Sequence, residues 1–259
     1  MDIQLKGKTA FISGSTQGIG FAIARQLLQE GATVIVNGRT QEKVDAAVKQ
    51  LGANASGIAA DFEKEVDVQQ LLTSLPPIDI LVNNAGIFAL KDFIDIKDSE
   101  WQSMFDINVM SAVRLSRALL PQMLERKWGR ILFISSESGV NVPANMIHYG
   151  MTKTAMLSLS NGLSKLTKGT EVTVNTILGG PTYSEGVANA VRYIASSSNM
   201  SEDDMKAAIM QNTNPHSLLQ RFITPAEIAG IVTYLCSPLA AVINGSAIRA
   251  DGGVLNTIL

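Results

Sequence analysis

The chain has one cysteine, two histidines and no run of about 18 apolar residues, and each shortage excludes a class of protein. Cys236 can form neither an intramolecular disulfide nor a CxxC redox pair, and within AGIVTYLCSPL it reads as a packing thiol. His148 and His216 have no carboxylate at ligand spacing, so no metal site is expected. A formal net charge of −2, with no long Lys/Arg cluster, offers nothing to hold phosphate backbones or anionic lipid, so neither nucleic acid nor a membrane is expected as a partner. The opening residues MDIQLKGKTAFISG contain no signal-peptide apolar region, and the cytoplasm is the expected location. A GxSxG nucleophile elbow is missing too: its nearest look-alike, GSTQG from Gly14 to Gly18, has threonine at the centre.

What is present is a globular composition, 46% hydrophobic against 17% charged, which predicts a folded chain. Short β-branched runs recur as TAFIS, TVIVN, SGIAA, IDILVNN, RILFIS, VTVNTIL and SAIRA, separated by amphipathic stretches. That alternation predicts an α/β fold: a doubly wound parallel sheet of about seven strands with helices on both faces. Ile19, Ile23 and Leu27 fall at helical spacing and Gly31 supplies a stop. Thr224, Pro225 and Glu227 spell a capping box with proline at the first helical position. No repeat or long linker divides residues 1–259, which read as one domain. Residues 183–222 break the rhythm, with an N-cap at Ser201 and apolar residues that form no strand. They read as a helical lid inserted over the carboxyl end of the sheet, where Met200, Met205 and Met210 suit adaptable packing.

Directly after the first strand come Gly14, Ser15, Thr16, Gln17, Gly18, Ile19 and Gly20. Gly14 permits a tight turn, Gly18 lets backbone approach a pyrophosphate, and Gly20 allows close contact between helix and strand. The helix N-terminus then faces the phosphates. The spacing is GxxxGxG, and it is not that of a P-loop nucleotidase.

With this turn, the sequence resembles the short-chain dehydrogenase/reductase family along essentially its whole length. In order it shows GSTQGIG at Gly14–Gly20, Asp61, NNAG at Asn83–Gly86, Asn108, Ser136, the Tyr149/Lys153 pair and DGG at Asp251–Gly253. The resemblance implies a Rossmann-type fold, an NAD(P) cofactor and a homodimer or homotetramer. It implies that Asp61 bonds the adenine edge, while Asn83, Ala85 and Gly86 line the adenosine ribose and brace the central strand. It implies also that Lys153 binds the nicotinamide ribose, that Asn108 holds a water leading from Lys153, and that Ser136, on a loop after RILFIS, donates to the substrate oxygen. Thr182 and Ser184 stand where the family contacts the nicotinamide carboxamide. There the chain departs from the pattern, with Gly179 and Gly180 in place of the usual Pro-Gly and Pro181 displaced along the loop.

An acidic residue at the end of the second strand would accept bonds from both ribose hydroxyls of NAD. Gly38 occupies that position, and Arg39 follows with a guanidinium suited to a 2′-phosphate, so NADP(H) is favoured over NAD(H). Gln17, where some NADP-binding relatives carry a second basic residue, adds no support. Tyr149 and Lys153 stand one helical turn apart, which puts an ammonium beside a phenol. That cation, joined by a positive nicotinamide, is expected to lower the phenol pKa and make Tyr149 the general acid and base. The chain thus reads as an oxidoreductase passing hydride between nicotinamide and a ketone or secondary alcohol. The alternatives are a 3-oxoacyl thioester reductase of lipid synthesis and a dinucleotide sensor without turnover.

Overall fold

The computed structural model describes residues 2–258. Its seven strands are β1 (Thr9–Ile12), β2 (Thr33–Gly38), β3 (Ala55–Ala59), β4 (Ile80–Asn83), β5 (Trp128–Ser136), β6 (Glu171–Gly179) and β7 (Ala247–Ala250). They form one sheet in the order β3-β2-β1-β4-β5-β6-β7, and every pairing is parallel. The helices between them are α1 (Gly18–Gln29), α2 (Gln41–Leu51), α3 (Glu65–Ser74), α4 (Asp98–Phe105), α5 (Ser111–Glu125), α6 (Ile147–Ser164), α7 (Glu185–Ser197), α8 (Glu202–Thr213) and α9 (Pro225–Cys236). The fold is the doubly wound α/β type expected, and no helix among the described residues is long and apolar enough to cross a membrane.

Successive strand side chains alternate between faces, so each central strand feeds two cores. Ile12, Val34, Val36, Ile80, Val82, Leu132 and Ile134 pack with Ile23 and Leu27 of α1 and with Ile228, Val232 and Cys236 of α9. Phe11, Ile35, Leu81, Ile131 and Phe133 pack on the opposite face with Leu115, Leu119 and Met123 of α5 and Met156 of α6. Burial pushes the Cys236 thiol up to about 12, which leaves it an inert packing group. The capping box at α9 is present: Thr224 accepts from the Glu227 amide and Glu227 from the Thr224 amide.

Strand order reverses between β1 and β4, and a crevice opens outside the carboxyl ends of strands at such a point. Between β6 and β7 the chain forms α7 and α8, which share a small core of their own from Val191, Ala195 and Met205. Met210 is buried, whereas Met200 is exposed. Two backbone links tie this segment to the sheet end. One is a parallel bridge from Thr182 to Ile223; the other is the Leu219 amide donating to the Gly252 carbonyl. The Asp251 carboxylate shapes the receiving loop by accepting from the Gly253 and Leu255 amides.

The substitution of Gly-Gly for Pro-Gly leaves the strand regular, since β6 runs on to Gly179 in register with Ser136 and Ala250. Gly180 meets a tighter limit: a Cβ there would lie 2.5 Å from the Asp251 carbonyl oxygen and 2.7 Å from its Cα. Gly180→Ala should therefore cost about 1–3 kcal/mol in urea unfolding. Gly186→Ala, in α7 with nothing within 4 Å of the new carbon, should be neutral or stabilising by up to about 1 kcal/mol.

Candidate active site

The crevice is built by joining two turns. Ser13, at the end of β1, accepts through Oγ from the amides of Asn84 and Ala85 at 3.0 Å each. Asn84 returns the contact, its Nδ2 donating to the carbonyls of Ser13 (3.0 Å) and Gly14 (2.8 Å). Asn37 in β2 adds a third anchor by accepting from the Gly14 amide and donating to the Ile58 carbonyl of β3. Gly14 has φ +59°, and a Cβ on Gly20 would fall 2.5 Å from Asn84 Nδ2, so the turn closes only without those side chains. Ser13, Asn37 and Asn84 were not singled out in the sequence; their signal was their place beside GSTQGIG and inside NNAG.

At the top of this turn α1 begins without a side-chain cap from Gln17, and the amides of Gly18, Ile19 and Gly20 find no acceptor among the described residues. Three orphan donors at the positive end of a helix fit a phosphate group. Thr16 and Gly18 are half-exposed there and Gln17 is exposed, while Ile19 packs partly against the core. Ser15 is different, because it is fully buried. Its hydroxyl donates to Ile12, accepts from the Asn37 amide, and its own amide donates to Asn37. Through these bonds Ser15 rivets β1 to β2.

Other predicted residues divide in the same way. Arg39 is exposed at the end of β2, and Asp61 lies beyond β3, its carboxylate accepting from the Glu63 amide. Ala85 is buried and Gly86 open. Asn83 is buried and turns its side chain to Ser116 of α5, with Oδ1 unpartnered, so its amide braces the sheet rather than the crevice. Thr182 donates its hydroxyl to the Gly180 carbonyl. Ser184, at the start of α7, approaches the glycine turn: its Cβ would lie 3.4 Å from a Cβ on Gly18.

Ser136, Tyr149 and Lys153 come together at the carboxyl end of β5. Ser136 is the last residue of the strand, not part of a loop. Lys153 is buried, with Nζ 5.5 Å from the Tyr149 ring centre and donating to the Ile134 carbonyl at 2.8 Å. Burial lowers its pKa to about 8, against a smaller upward pull from Glu137. Phe88 sets its ring edge against Tyr149, with centroids 6.3 Å apart. Asn108 lies in a π-helical segment, Asp106–Met110, where the backbone bulges. Its Oδ1 accepts from the Ile87 amide, and its Nδ2 donates to the Ile87 carbonyl and to Thr152. A Cβ on Gly86 would lie 3.4 Å from Lys153 Nζ and 3.5 Å from Asn108 Oδ1, so the glycine keeps a gap between them.

The phenol departs from expectation. Burial first, and then the negative charge of Glu137, raise the Tyr149 pKa above its ordinary 10, while the nearby Ser136 hydroxyl acts in the opposite direction. Lys153 alone does not make this phenol acidic, because its ammonium is bonded to a backbone carbonyl and is itself destabilised by burial. Glu137, which the sequence reading passed over, is the added ingredient. Its carboxylate accepts from Ser136 Oγ at 2.5 Å and from Ser138 Oγ at 3.1 Å.

The family profile described as short chain dehydrogenase matches residues 8–194, a span holding both the glycine turn and this cluster. The chain belongs to the short-chain dehydrogenases. This short-chain dehydrogenase is 47% identical over 263 residues, covering all of both chains, to the uncharacterized oxidoreductase YvrD of Bacillus subtilis strain 168. It is 32% identical to the 3-oxoacyl-acyl-carrier-protein reductase FabG of Aquifex aeolicus, covering 98% of this chain and 100% of that one. Its fold superposes with a TM-score of 0.93, at 30% identity and full coverage of both chains, on an L-sorbose reductase of Gluconobacter frateurii solved with NADPH and L-sorbose. Like its relatives, this short-chain dehydrogenase is an NAD(P)-dependent oxidoreductase.

Lys153 has a consequence for the stability of this short-chain dehydrogenase without ligand. Its folded pKa lies below its ordinary value, so between about pH 8 and 10.5 the unfolded chain binds the extra proton and folding stability rises with pH. Urea unfolding of the parent protein and of Lys153→Met should show the parent gaining, relative to the variant, on the order of 3 kcal/mol across that window.

Proposed function

We propose that this protein transfers hydride between NADP(H) and a ketone or secondary alcohol, with Tyr149 as the general acid and base. The observation that carries the reading is the convergence of Ser136, Tyr149 and Lys153 beside an uncapped helix N-terminus. A bound nicotinamide supplies or takes up the hydride and, when oxidised, adds positive charge beside the phenol. Ser136 Oγ holds the substrate oxygen by hydrogen bonding. Tyr149 Oη gives a proton to that oxygen in reduction and removes one from the alcohol in oxidation. Lys153 favours phenolate together with the positive charge of an oxidised nicotinamide, and the gap beside Gly86 leaves it a route toward Asn108 for replacing the proton.

The amides of Gly18, Ile19 and Gly20 suit the pyrophosphate, Asp61 and Gly86 the adenosine, and Lys153 the nicotinamide ribose. Ser184 closes over the turn from the lid of residues 183–222. The NADP preference rests on steric grounds as well as charge. A Cβ at position 38 would lie 2.5 Å from Thr16 Cγ2, so glycine suits this close contact, and the acidic side chain that reads an unphosphorylated ribose is missing where Arg39 stands exposed. NADPH in the similar L-sorbose reductase supports the same cofactor. A homo-oligomer is supported by an apolar groove between α5 and α6 that includes Val113, Leu120, Leu124, Leu159, Leu163 and Leu166.

Similarity to the Aquifex reductase favours a second reading, reduction of a 3-oxoacyl thioester, and steady-state assays on such thioesters beside simple ketones would separate the two. Tyr149→Phe should lower kcat at least ~100-fold while fluorescence titration shows NADPH bound as before. Full activity in that variant would end the mechanism. Arg39→Ala should raise KM for NADPH roughly 10- to 100-fold and leave KM for NADH within about twofold, and equal effects on both would refute the phosphate contact.

A further inference from the structure

Ser136 has a single hydroxyl proton, and two acceptors claim it. In the structure that proton goes to Glu137, whose Oε2 lies 2.5 Å from Ser136 Oγ. The reaction proposed above needs it for the substrate oxygen. Something must replace Ser136 as the donor to Glu137 when substrate arrives.

The carboxylate has capacity to spare for such a donor. An ionised carboxylate accepts about four hydrogen bonds. Here Ser136 and Ser138 fill one position on each oxygen. No lysine, arginine or histidine among the described residues forms an ion pair with it. The residue is only partly buried; burial raises its pKa, the bonds from Ser136 and Ser138 favour its charged form, and its direct contact with Ser136 Oγ sets it on the reacting side of the cluster. A substrate oxygen held by Ser136 at ~2.8 Å lies within roughly 5 Å of Glu137 Oε2, a span bridged by a hydroxyl on the neighbouring carbon.

Resting on the function proposed above, we propose that Glu137 is a specificity residue that accepts a hydrogen bond from a hydroxyl on the carbon next to the reacting carbonyl. The preferred substrates are then α-hydroxy ketones and, in reverse, vicinal diols. The substrate hydroxyl takes the place of Ser136 on the carboxylate, and Ser136 turns its proton to the carbonyl oxygen. A plain ketone leaves Ser136 engaged by Glu137, and a 2-oxo acid brings a second negative charge against an unpaired one.

The test compares butan-2-one, 1-hydroxybutan-2-one and 2-oxobutanoate, each with NADPH and with NADH, in the parent protein, Glu137→Gln and Glu137→Ala. The parent should favour the hydroxy ketone over butan-2-one by at least ~10-fold in kcat/KM, with 2-oxobutanoate the poorest. Glu137→Gln keeps the shape of the side chain, and its amide can donate to Ser136. It should lower kcat/KM for the hydroxy ketone, chiefly through KM, raise it for butan-2-one, and shrink the ratio at least ~10-fold. Glu137→Ala should shrink the ratio likewise; if that variant does not fold, as judged by circular dichroism, Glu137→Gln decides alone. Turnover of both ketones with a ratio unmoved by Glu137→Gln refutes this inference and spares the oxidoreductase reading. No turnover of these three compounds by a parent protein that reduces a 3-oxoacyl thioester refutes this inference alone, and no turnover of any of the four refutes both.

Discussion

The active cluster depends on a reciprocal clamp between β5 and α6. Lys153 donates its ammonium to the Ile134 carbonyl, and Ser135, the next residue along the strand, donates its hydroxyl to the Lys153 carbonyl. Side chain and backbone of one lysine are thus bound to consecutive strand residues, which sets both the height and the rotation of α6. The turn after β5 adds to it, with Gly139 so close that a Cβ would lie 2.9 Å from the Lys153 carbonyl carbon, and with Thr154 donating to the Gly139 carbonyl. Tyr149, one turn earlier on the helix, stands beside Ser136 for this reason. The neighbouring strand pairings β4-β5 and β5-β6 make the anchor stiff, since β5 is buried along most of its length.

That clamp has an electrostatic cost, which the site turns to use. A lysine buried without a carboxylate partner is driven toward neutrality, and a buried phenol is driven to keep its proton. Both groups therefore rest in their uncharged directions, and positive charge brought into the crevice alters them more than it would in water. Glu137 pushes against phenolate and for the ammonium, so the acid, the base and the hydroxyl form one coupled network rather than three independent groups.

Much of the architecture was legible in the sequence because sheet and helix burial impose periods that side chains must obey. The seven apolar runs became seven parallel strands, and Ile23 and Leu27 became the buried face of α1. The α9 cap was legible for a local reason, as its hydroxyl, proline and carboxylate lie within four residues. Side-chain direction was less so. Ser15, Asn83 and Thr182 sit within the expected segments, yet each turns a polar donor to backbone or a neighbouring helix. A motif gives position along the chain; which way a short polar side chain turns follows from which orphan backbone groups lie nearby.

By itself the sequence determined the order of strands and helices, the glycine turn and the identity of the residues gathered near it, because these follow from local pattern and spacing. Tertiary structure alone decided how the gathered groups affect one another. Glu137 follows Ser136 in the chain, but its effect on Tyr149 and Lys153 exists only where β5 meets α6. The same holds for the phenol, whose proton affinity is set by burial and by a charge from another element. Periodicity is a property of the chain, whereas desolvation and Coulomb energy are properties of distance, and distance between β5 and α6 is fixed only when the sheet has formed.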